Sequence, residues 1–334
     1  EEFTILNGDA MSGLKLKATM LATLAAIIGL STLFFTIILS LIDALNIYTL
    51  ALFVVFFNVL QWLFAPHLID AMYRVKKVSK EEEPKLYEIV ERLSRKSGIK
   101  PPQLMIARIP IPNAFANGSP LTGNRIAVTA GLLNTLDTEE IEAVIGHELG
   151  HLKHRDVQVM MFVSILPALF YYIGYSLMWS SAYGRRDERG GASSLAFIGF
   201  LSILLYWVLT LFVLYLSRLR EYYADRHSAS IVEEGPRKLS EGLVKIVEAT
   251  ERTKRQIGNI YHTSSLKTLF ISDPDSSSRD LRELYQTNIW TTDRDIVERY
   301  LRRRITISEE IAELFSTHPN IVKRLRALRE LEAA

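Results

Sequence analysis

The residues most able to do chemistry in this chain are His147, Glu148 and His151, which form an H-E-x-x-H motif. Two histidines four positions apart in a helix lie on one face, about one turn from each other. Both imidazoles can then bind one tetrahedral Zn²⁺, and the intervening glutamate can act as a general base. Asp137 and Glu140 form a capping-box pattern that predicts the start of this helix. An ordinary amphipathic helix with two incidental histidines is the alternative, because short motifs occur by chance.

Four long uncharged runs indicate a membrane protein. They cover residues 18–42, 44–66, 157–184 and 190–217 and are 23 to 28 residues long. About 20 predominantly apolar residues are enough to cross a bilayer as a helix. A buried core helix is the alternative for any single run, but that alternative is weak for four.

Lysine and arginine residues beside these runs predict the orientation. They precede the first and third runs and follow the second and fourth, as Lys15, Lys17, Arg74, Lys76, Lys77, Lys153, Arg155, Arg218 and Arg220. Basic residues favour the cytoplasmic side, so both termini and the polar regions should face the cytoplasm. The mixed-charge loop 185–189 opposes this weakly. The predicted organisation is a tail at 1–14, spans one and two in 15–70, spans three and four in 157–217, and polar regions at 71–156 and 218–334.

The third metal ligand is predicted to be Glu221. Spans three and four are joined by a short loop, so they should pack as an antiparallel pair with neighbouring cytoplasmic ends. His151 lies about 9 Å before span three and Glu221 about 6 Å beyond span four, at the helical rise per residue. Asp225, one turn later on the same face, is suited to hold a ligating histidine through its second ring nitrogen. A solvated acidic pair on a helix is the alternative.

Several ordered motifs resemble a known family. They are N-A-F-A-N-G at 113–118, T-A-G-L-L at 129–133, H-E-L-G-H at 147–151, E-Y-Y-A-D at 221–225, and T-H-P at 317–319 followed by Arg324. Their order, with the four runs, is similar to the HtpX-like integral-membrane zinc metalloproteases, relatives of the CAAX prenyl proteases. The resemblance implies a mainly α membrane protein. It would have four transmembrane helices and a cytoplasmic zincin-type (gluzincin) metallopeptidase domain with a small β-sheet.

The resemblance also implies roles for residues that spacing does not place. His318 would lie near the zinc and help to polarise the scissile carbonyl. Arg324 would belong to the same group of residues and pair with acids such as Asp225. Without the resemblance, His318 reads as a structural loop histidine and Arg324 as part of a basic surface helix.

A short strand is predicted at Asn113, Ala114, Phe115 and Ala116. The resemblance implies that it forms an exposed sheet edge, which would hold an extended peptide through backbone hydrogen bonds. A simple hairpin strand is the alternative.

These observations predict a zinc endopeptidase of the cell membrane with one Zn²⁺ per chain. Its partners would be membrane lipids and polypeptide substrates, by resemblance damaged or misfolded membrane proteins. No nucleic-acid partner is expected, and the formal net charge of +2 favours no particular partner.

Three alternatives remain. A prenyl-protein (CAAX-type) processing protease would enclose a large chamber with more spans. A non-catalytic zinc-stabilised membrane scaffold would close the fourth metal position with another protein ligand, which Glu148 argues against. A small transporter would need charged residues inside its spans, and the four runs have none.

Overall fold

The computed structural model describes residues 56, 59–60, 62–67, 69–71, 73–183, 191–257 and 292–333. Two described helices contain segments long and apolar enough to cross a bilayer, Asp156–Met178 and Ser194–Ile231. They correspond to the predicted third and fourth spans. The predicted tail, the first span and most of the second lie outside the described residues, so the number of four spans stays a prediction.

The two apolar helices are α4, Asp156–Tyr183, and α5, Gly191–Ile231. They pack as an antiparallel pair, and Gly174 and Gly199 lie where the backbones approach closely: a Cβ on Gly174 would come within 2.9 Å of the Gly199 carbonyl oxygen. The 41 residues of α5 extend over about 60 Å, whereas the hydrocarbon core of a bilayer is about 30 Å thick. One continuous helix is therefore long enough to cross a bilayer and to continue into the predicted peptidase domain.

A four-stranded mixed sheet confirms the predicted small sheet. Its order is β1-β2-β4-β3, with β2 and β4 parallel and the other pairs antiparallel. Strand β3 therefore lies at one edge. The strands are β1 Val75–Lys77, β2 Gln103–Ala107, β3 Ala114–Ser119 and β4 Gly123–Thr129.

Helices pack around the C-terminal half of α5 to complete the predicted peptidase domain. Their core buries fully the apolar side chains of Leu93, Ile126, Leu149, Leu243 and Leu328. The helices are α1 Pro84–Ser97, α2 Ala130–Thr135, α3 Thr138–Lys153, α6 Gly235–Ile257, α7 Asp293–Arg302, α8 Ile307–Leu314 and α9 Ile321–Glu332.

The predicted capping box begins α3, the helix of the H-E-x-x-H motif. The Asp137 backbone N–H donates to Glu140 Oε2 at 2.9 Å. Lys245 Nζ lies 3.2 Å from Asp137, 2.7 Å from Glu140 and 3.0 Å from Asp293, which joins α3 to α6 and α7. The ammonium of Lys245 thus lies among all three carboxylates and pairs with each of them.

Small residues allow α3 and α5 to cross at close range. A Cβ on Gly150 would lie 3.0 Å from Ala224 Cα, and a Cβ on Gly146 would lie 3.0 Å from Ser228 Oγ. At the same crossing Ser228 Oγ donates to the Ala143 carbonyl oxygen at 2.6 Å. This close approach brings the H-E-x-x-H motif against the face of α5 that carries Glu221 and Asp225.

Replacing Gly150 by alanine should destabilise the protein although alanine is the better helix former. The added methyl would lie 3.0 Å from the backbone Cα of Ala224 and 3.1 Å from His227 Cβ. Overpacking of this kind costs about 1–3 kcal/mol, which equals or exceeds the ~1 kcal/mol gained in helix propensity. Gly242→Ala is the matched control, because the nearest atom to its Cβ lies at an ordinary 3.4 Å. Thermal unfolding in detergent should show a lower midpoint for Gly150→Ala and an unchanged or higher one for Gly242→Ala. Equal midpoints for the wild type and Gly150→Ala would contradict the close-packing argument.

Candidate active site

Three donor side chains from α3 and α5 converge on one point. His147 Nε2 lies 3.1 Å from His151 Nε2 and 3.6 Å from Glu221 Oε2, and His151 Nε2 lies 3.5 Å from Glu221 Oε1. Ligand atoms about 2.1 Å from a tetrahedral ion are separated by about 3.4 Å. The spacing of the three residues therefore fits a tetrahedral metal ion, and these residues could hold one.

The second ring nitrogens of the two histidines face carboxylates. His147 Nδ1 lies 2.8 Å from Asp225 Oδ1, and His151 Nδ1 lies 2.6 Å from Asp156 Oδ2. A carboxylate at this distance keeps the proton on Nδ1 and leaves a lone pair on Nε2. Two lone pairs then face each other across 3.1 Å, an arrangement that a cation between them would stabilise.

The surroundings of Glu221 also favour a bound cation at this point. Its carboxylate is buried, and Oε2 accepts no hydrogen bond; its neighbours are Arg324 Nη1 at 3.3 Å and His147 Nε2 at 3.6 Å. A buried carboxylate oxygen without a hydrogen bond is energetically unfavourable unless cations compensate its charge; Arg324 supplies one such charge, and a metal ion held by the three donors would supply another. Burial also lowers the pKa of His147 to about 3, so its imidazole is neutral and able to act as a ligand.

Arg324, from the distant helix α9, organises one side of the site. Its Nε lies 2.9 Å from Asp225 Oδ2 and its Nη2 lies 2.5 Å from Asp225 Oδ1, a bidentate pair. Both side chains are almost fully buried. Arg324 thus holds the carboxylate that faces His147, and this is the pairing that the family resemblance implied.

Asp156 and Arg220 form a matching support for His151, which the sequence did not lead us to predict. Asp156 accepts from His151 Nδ1 through Oδ2 and pairs with Arg220 through Oδ1. The turn between α3 and α4 passes through Arg155 at φ 55°, in the left-handed region, which aims Asp156 back at the histidine. The sequence offered one signal for this support: Asp156 lies five residues after His151, at the start of a predicted span.

Glu148 lies between the histidines and the edge strand β3. It is buried, and its carboxylate accepts a hydrogen bond from the backbone N–H of Ala116. Burial raises the pKa of this carboxyl above its ordinary range. A raised pKa suits a group that must take up a proton and release it again.

The predicted strand residues lie beside this glutamate. Ala114, Phe115 and Ala116 belong to β3, and Asn113 immediately precedes it. The Ala116 N–H points away from β4 toward Glu148, so the outer edge of the sheet faces the site. The structure thus brings these residues to the site, and substrate binding by them stays a prediction.

His318 faces the same point from the loop before α9. Its Nε2 lies 3.7 Å from Glu221 Oε1, and its Nδ1 lies 3.0 Å from Thr317 Oγ1. Burial, with a contribution from the charge of Arg324, lowers the pKa of His318 to about 3. The ring is therefore a neutral group beside the convergent donors. The five residues predicted for catalysis and metal binding, and the two predicted to support them, meet at one place.

Comparisons with known proteins agree with this geometry. Residues 80–332 match peptidase family M48. The chain is 39% identical over 295 residues to the protease HtpX homolog of Thermoplasma acidophilum, covering 86% of each chain. It is also 39% identical over 275 residues to the protease HtpX homolog of Aeropyrum pernix, covering 81% of this chain and 82% of the relative.

A solved structure resembles the fold. The crystal structure of S. mikatae Ste24p matches with a TM-score of 0.50 at 17% identity, over 94% of this chain and 67% of that chain. At this identity, the likeness shows a shared fold alone.

Substituting Arg324 by lysine should weaken metal binding while leaving a folded protein. Lysine keeps the charge but loses the bidentate contact to Asp225, so His147 is held less firmly, and losing such support typically lowers metal affinity 10–100-fold (an order-of-magnitude expectation). Arg329→Lys is the matched control on the same helix, because the Arg329 side chain is 57% exposed. Competition with a chelator measures both affinities. Equal metal affinity in Arg324→Lys and Arg329→Lys would show that the bidentate pair does not support the ligand.

Proposed function

The chain belongs to peptidase family M48 and is a membrane metalloprotease, and on this premise we propose that it is a zinc-dependent endopeptidase that cleaves polypeptides at the cytoplasmic face of the membrane. The observation that carries the proposal is the convergence of His147, His151 and Glu221 at tetrahedral spacing, with Glu148 beside them. Two imidazoles and one carboxylate, with the fourth position left for water or substrate, are typical of a catalytic zinc site.

Zinc, when bound, would lower the pKa of a water molecule and polarise the scissile carbonyl. Glu148 would take the proton from the attacking water. Its raised pKa favours holding that proton until the leaving amine needs it. The buried position of Glu148 also keeps bulk water from competing for the proton, since the carboxyl is 3% exposed.

His318 would act on the carbonyl oxygen of the scissile bond. Its neutral ring lies 3.7 Å from Glu221 Oε1 and therefore next to the reacting groups. A neutral imidazole with its N–H directed at the oxygen would donate a hydrogen bond as negative charge develops there. Arg324 and Asp225 would act indirectly, by holding His147 in place.

Strand β3 would bind the substrate as an added strand. Its outer edge faces Glu148 at Ala116, so a peptide laid along Asn113 to Ala116 would pass the general base. Backbone hydrogen bonds of this kind hold an extended chain without requiring a particular sequence. The site is buried, so a substrate segment must be unfolded to reach it. This favours damaged or misfolded membrane proteins as substrates.

Two alternatives are less well supported. A prenyl-protein processing protease is disfavoured because the relatives at 39% identity are HtpX homologues, whereas Ste24p is 17% identical and shares the fold alone. A non-catalytic scaffold would not need Glu148 buried against Ala116 beside the ligands.

Glu148→Gln should keep its zinc and lose its activity. The amide has nearly the same shape but cannot accept the proton, and general base catalysis typically contributes about 10²–10⁴-fold in rate. Cleavage of an unfolded protein such as casein by the purified protein in detergent, with zinc content measured in parallel, tests this.

Glu139→Gln is the matched control, because Glu139 lies on the same helix with its side chain 65% exposed. It should cleave at the wild-type rate. Wild-type turnover by Glu148→Gln would exclude the mechanism, and loss of zinc from that variant alone would make Glu148 a structural residue.

The cytoplasmic location predicts a defined labelling pattern. The chain has no cysteine, so Glu298→Cys on α7 introduces a single thiol at a side chain 43% exposed. A membrane-impermeant maleimide should label it in inside-out vesicles and not in intact cells. Asp187→Cys, in the predicted external loop, should show the reverse pattern. Labelling of Glu298→Cys in intact cells would place the site on the other face.

A further inference from the structure

Helix α8 exposes its apolar face, whereas a surface helix in water normally buries it. Ile307, Ile311 and Leu314 share one face at positions i, i+4 and i+7, and they are 77%, 54% and 40% exposed. Phe315 follows them at 61% exposed. Two of its three acidic side chains, Glu309 and Glu313, turn toward the protein, and the third, Glu310, is exposed. A helix that meets water would bury its apolar face, so this one is suited to an apolar surrounding.

Those inward acidic residues are paired. Glu309 is buried and pairs with Arg303, and Glu313 Oε2 lies 2.6 Å from Lys323 Nζ. These pairs hold the orientation of the helix, so the apolar face cannot turn inward without breaking them.

Large exposed apolar side chains are confined to few places in the described part of the chain. Apart from α4, α5 and residues 56–64, they occur at Leu121 and on α8 with its following residue Phe315. Leu121 lies at the tip of the β3–β4 hairpin and is 61% exposed. The rest of the described peptidase domain presents no such side chain to solvent.

Both patches adjoin the ends of apolar runs that reach the same side of the membrane. Arg218, the first residue after the fourth run, donates through Nη1 to the carbonyl oxygens of Glu313 at 2.7 Å and Ser316 at 2.8 Å. At the hairpin, Ser119 Oγ donates to the Leu63 carbonyl oxygen at 3.2 Å, near the end of the second run. The α8 patch and the hairpin tip thus lie at the level where the chain leaves the bilayer.

We propose that α8 and the Leu121 hairpin tip insert into the headgroup and acyl-chain boundary of the bilayer and seat the peptidase domain on the membrane surface. The partner is the lipid bilayer, because its surface is the one neighbour common to the ends of both runs. Exposed Arg302 and Arg304 precede α8 and suit the phosphates of lipid headgroups. His318 follows Phe315 by three residues. The depth to which α8 inserts would therefore determine the distance between the site and the membrane surface.

Single-cysteine spin labelling tests this, since no native thiol interferes. Ile311→Cys and Leu121→Cys, nitroxide-labelled in nanodiscs with one copy each, should be more accessible to oxygen than to a water-soluble nickel chelate. Leu204→Cys, whose side chain is 51% exposed on α5, serves as the membrane reference. Glu298→Cys, with its side chain 43% exposed, serves as the aqueous reference.

The outcomes are decisive and independent of protease activity. Insertion is supported if the oxygen and chelate accessibilities of Ile311→Cys lie between those of the two references and closer to those of Leu204→Cys. Chelate access equal to that of Glu298→Cys overturns the proposal. Protection from the chelate only when two copies share a nanodisc would make the face a contact between copies. Protection only after casein is added would make it a substrate-binding surface. Either result would also overturn the proposal.

Discussion

The close crossing of α3 and α5 is the constraint on which the site depends. The two histidines and Glu148 are carried by α3, and Glu221 and Asp225 by α5, so the distance between these two helices sets the separation of Glu221 from both histidines. Gly146 and Gly150 leave no Cβ at the crossing, and Ala224 and Ser228 are small. Zinc bonds of about 2.1 Å tolerate little displacement. The small residues are therefore as much a part of the site as the ligands.

Charge balance is the second constraint. Four buried carboxylates, Glu148, Asp156, Glu221 and Asp225, face two buried guanidinium groups, Arg220 and Arg324. With all four carboxyl groups ionised and the two histidines neutral, the formal balance leaves two negative charges. Buried charges are stable only when paired or bound to metal, and a divalent cation would restore neutrality. The arginines and such an ion would act together, with each arginine holding the carboxylate that faces one histidine.

Helix α5 links this site to the membrane. The same uninterrupted helix contains a segment long and apolar enough to cross a bilayer and then presents Glu221, Asp225 and the small residues of the crossing. On the sheet side, Arg125 Nη2 lies 2.6 Å from Asp70 Oδ1, which ties β4 to the segment following the second run. Because of these two connections, the position of the peptidase domain relative to α5 and to the segment after the second run is determined by the fold rather than by a flexible linker.

The local features of the site were predictable from the sequence, and the contacts between distant elements were not. Helical periodicity places His147 and His151 on one face, and the capping box marks where their helix begins, because both effects act within a few residues. The antiparallel pairing of two long apolar runs was enough to indicate Glu221. The roles of His318 and Arg324 were predicted from family resemblance. Both residues lie about 170 residues after the H-E-x-x-H motif, and such a separation carries no geometric information by itself. Only the tertiary structure showed Asp156 with Arg220 behind His151, the N–H of Ala116 at Glu148, and the outward apolar face of α8. Each of these depends on how whole elements pack, and packing is decided by burial and charge over the entire molecule rather than by neighbouring residues.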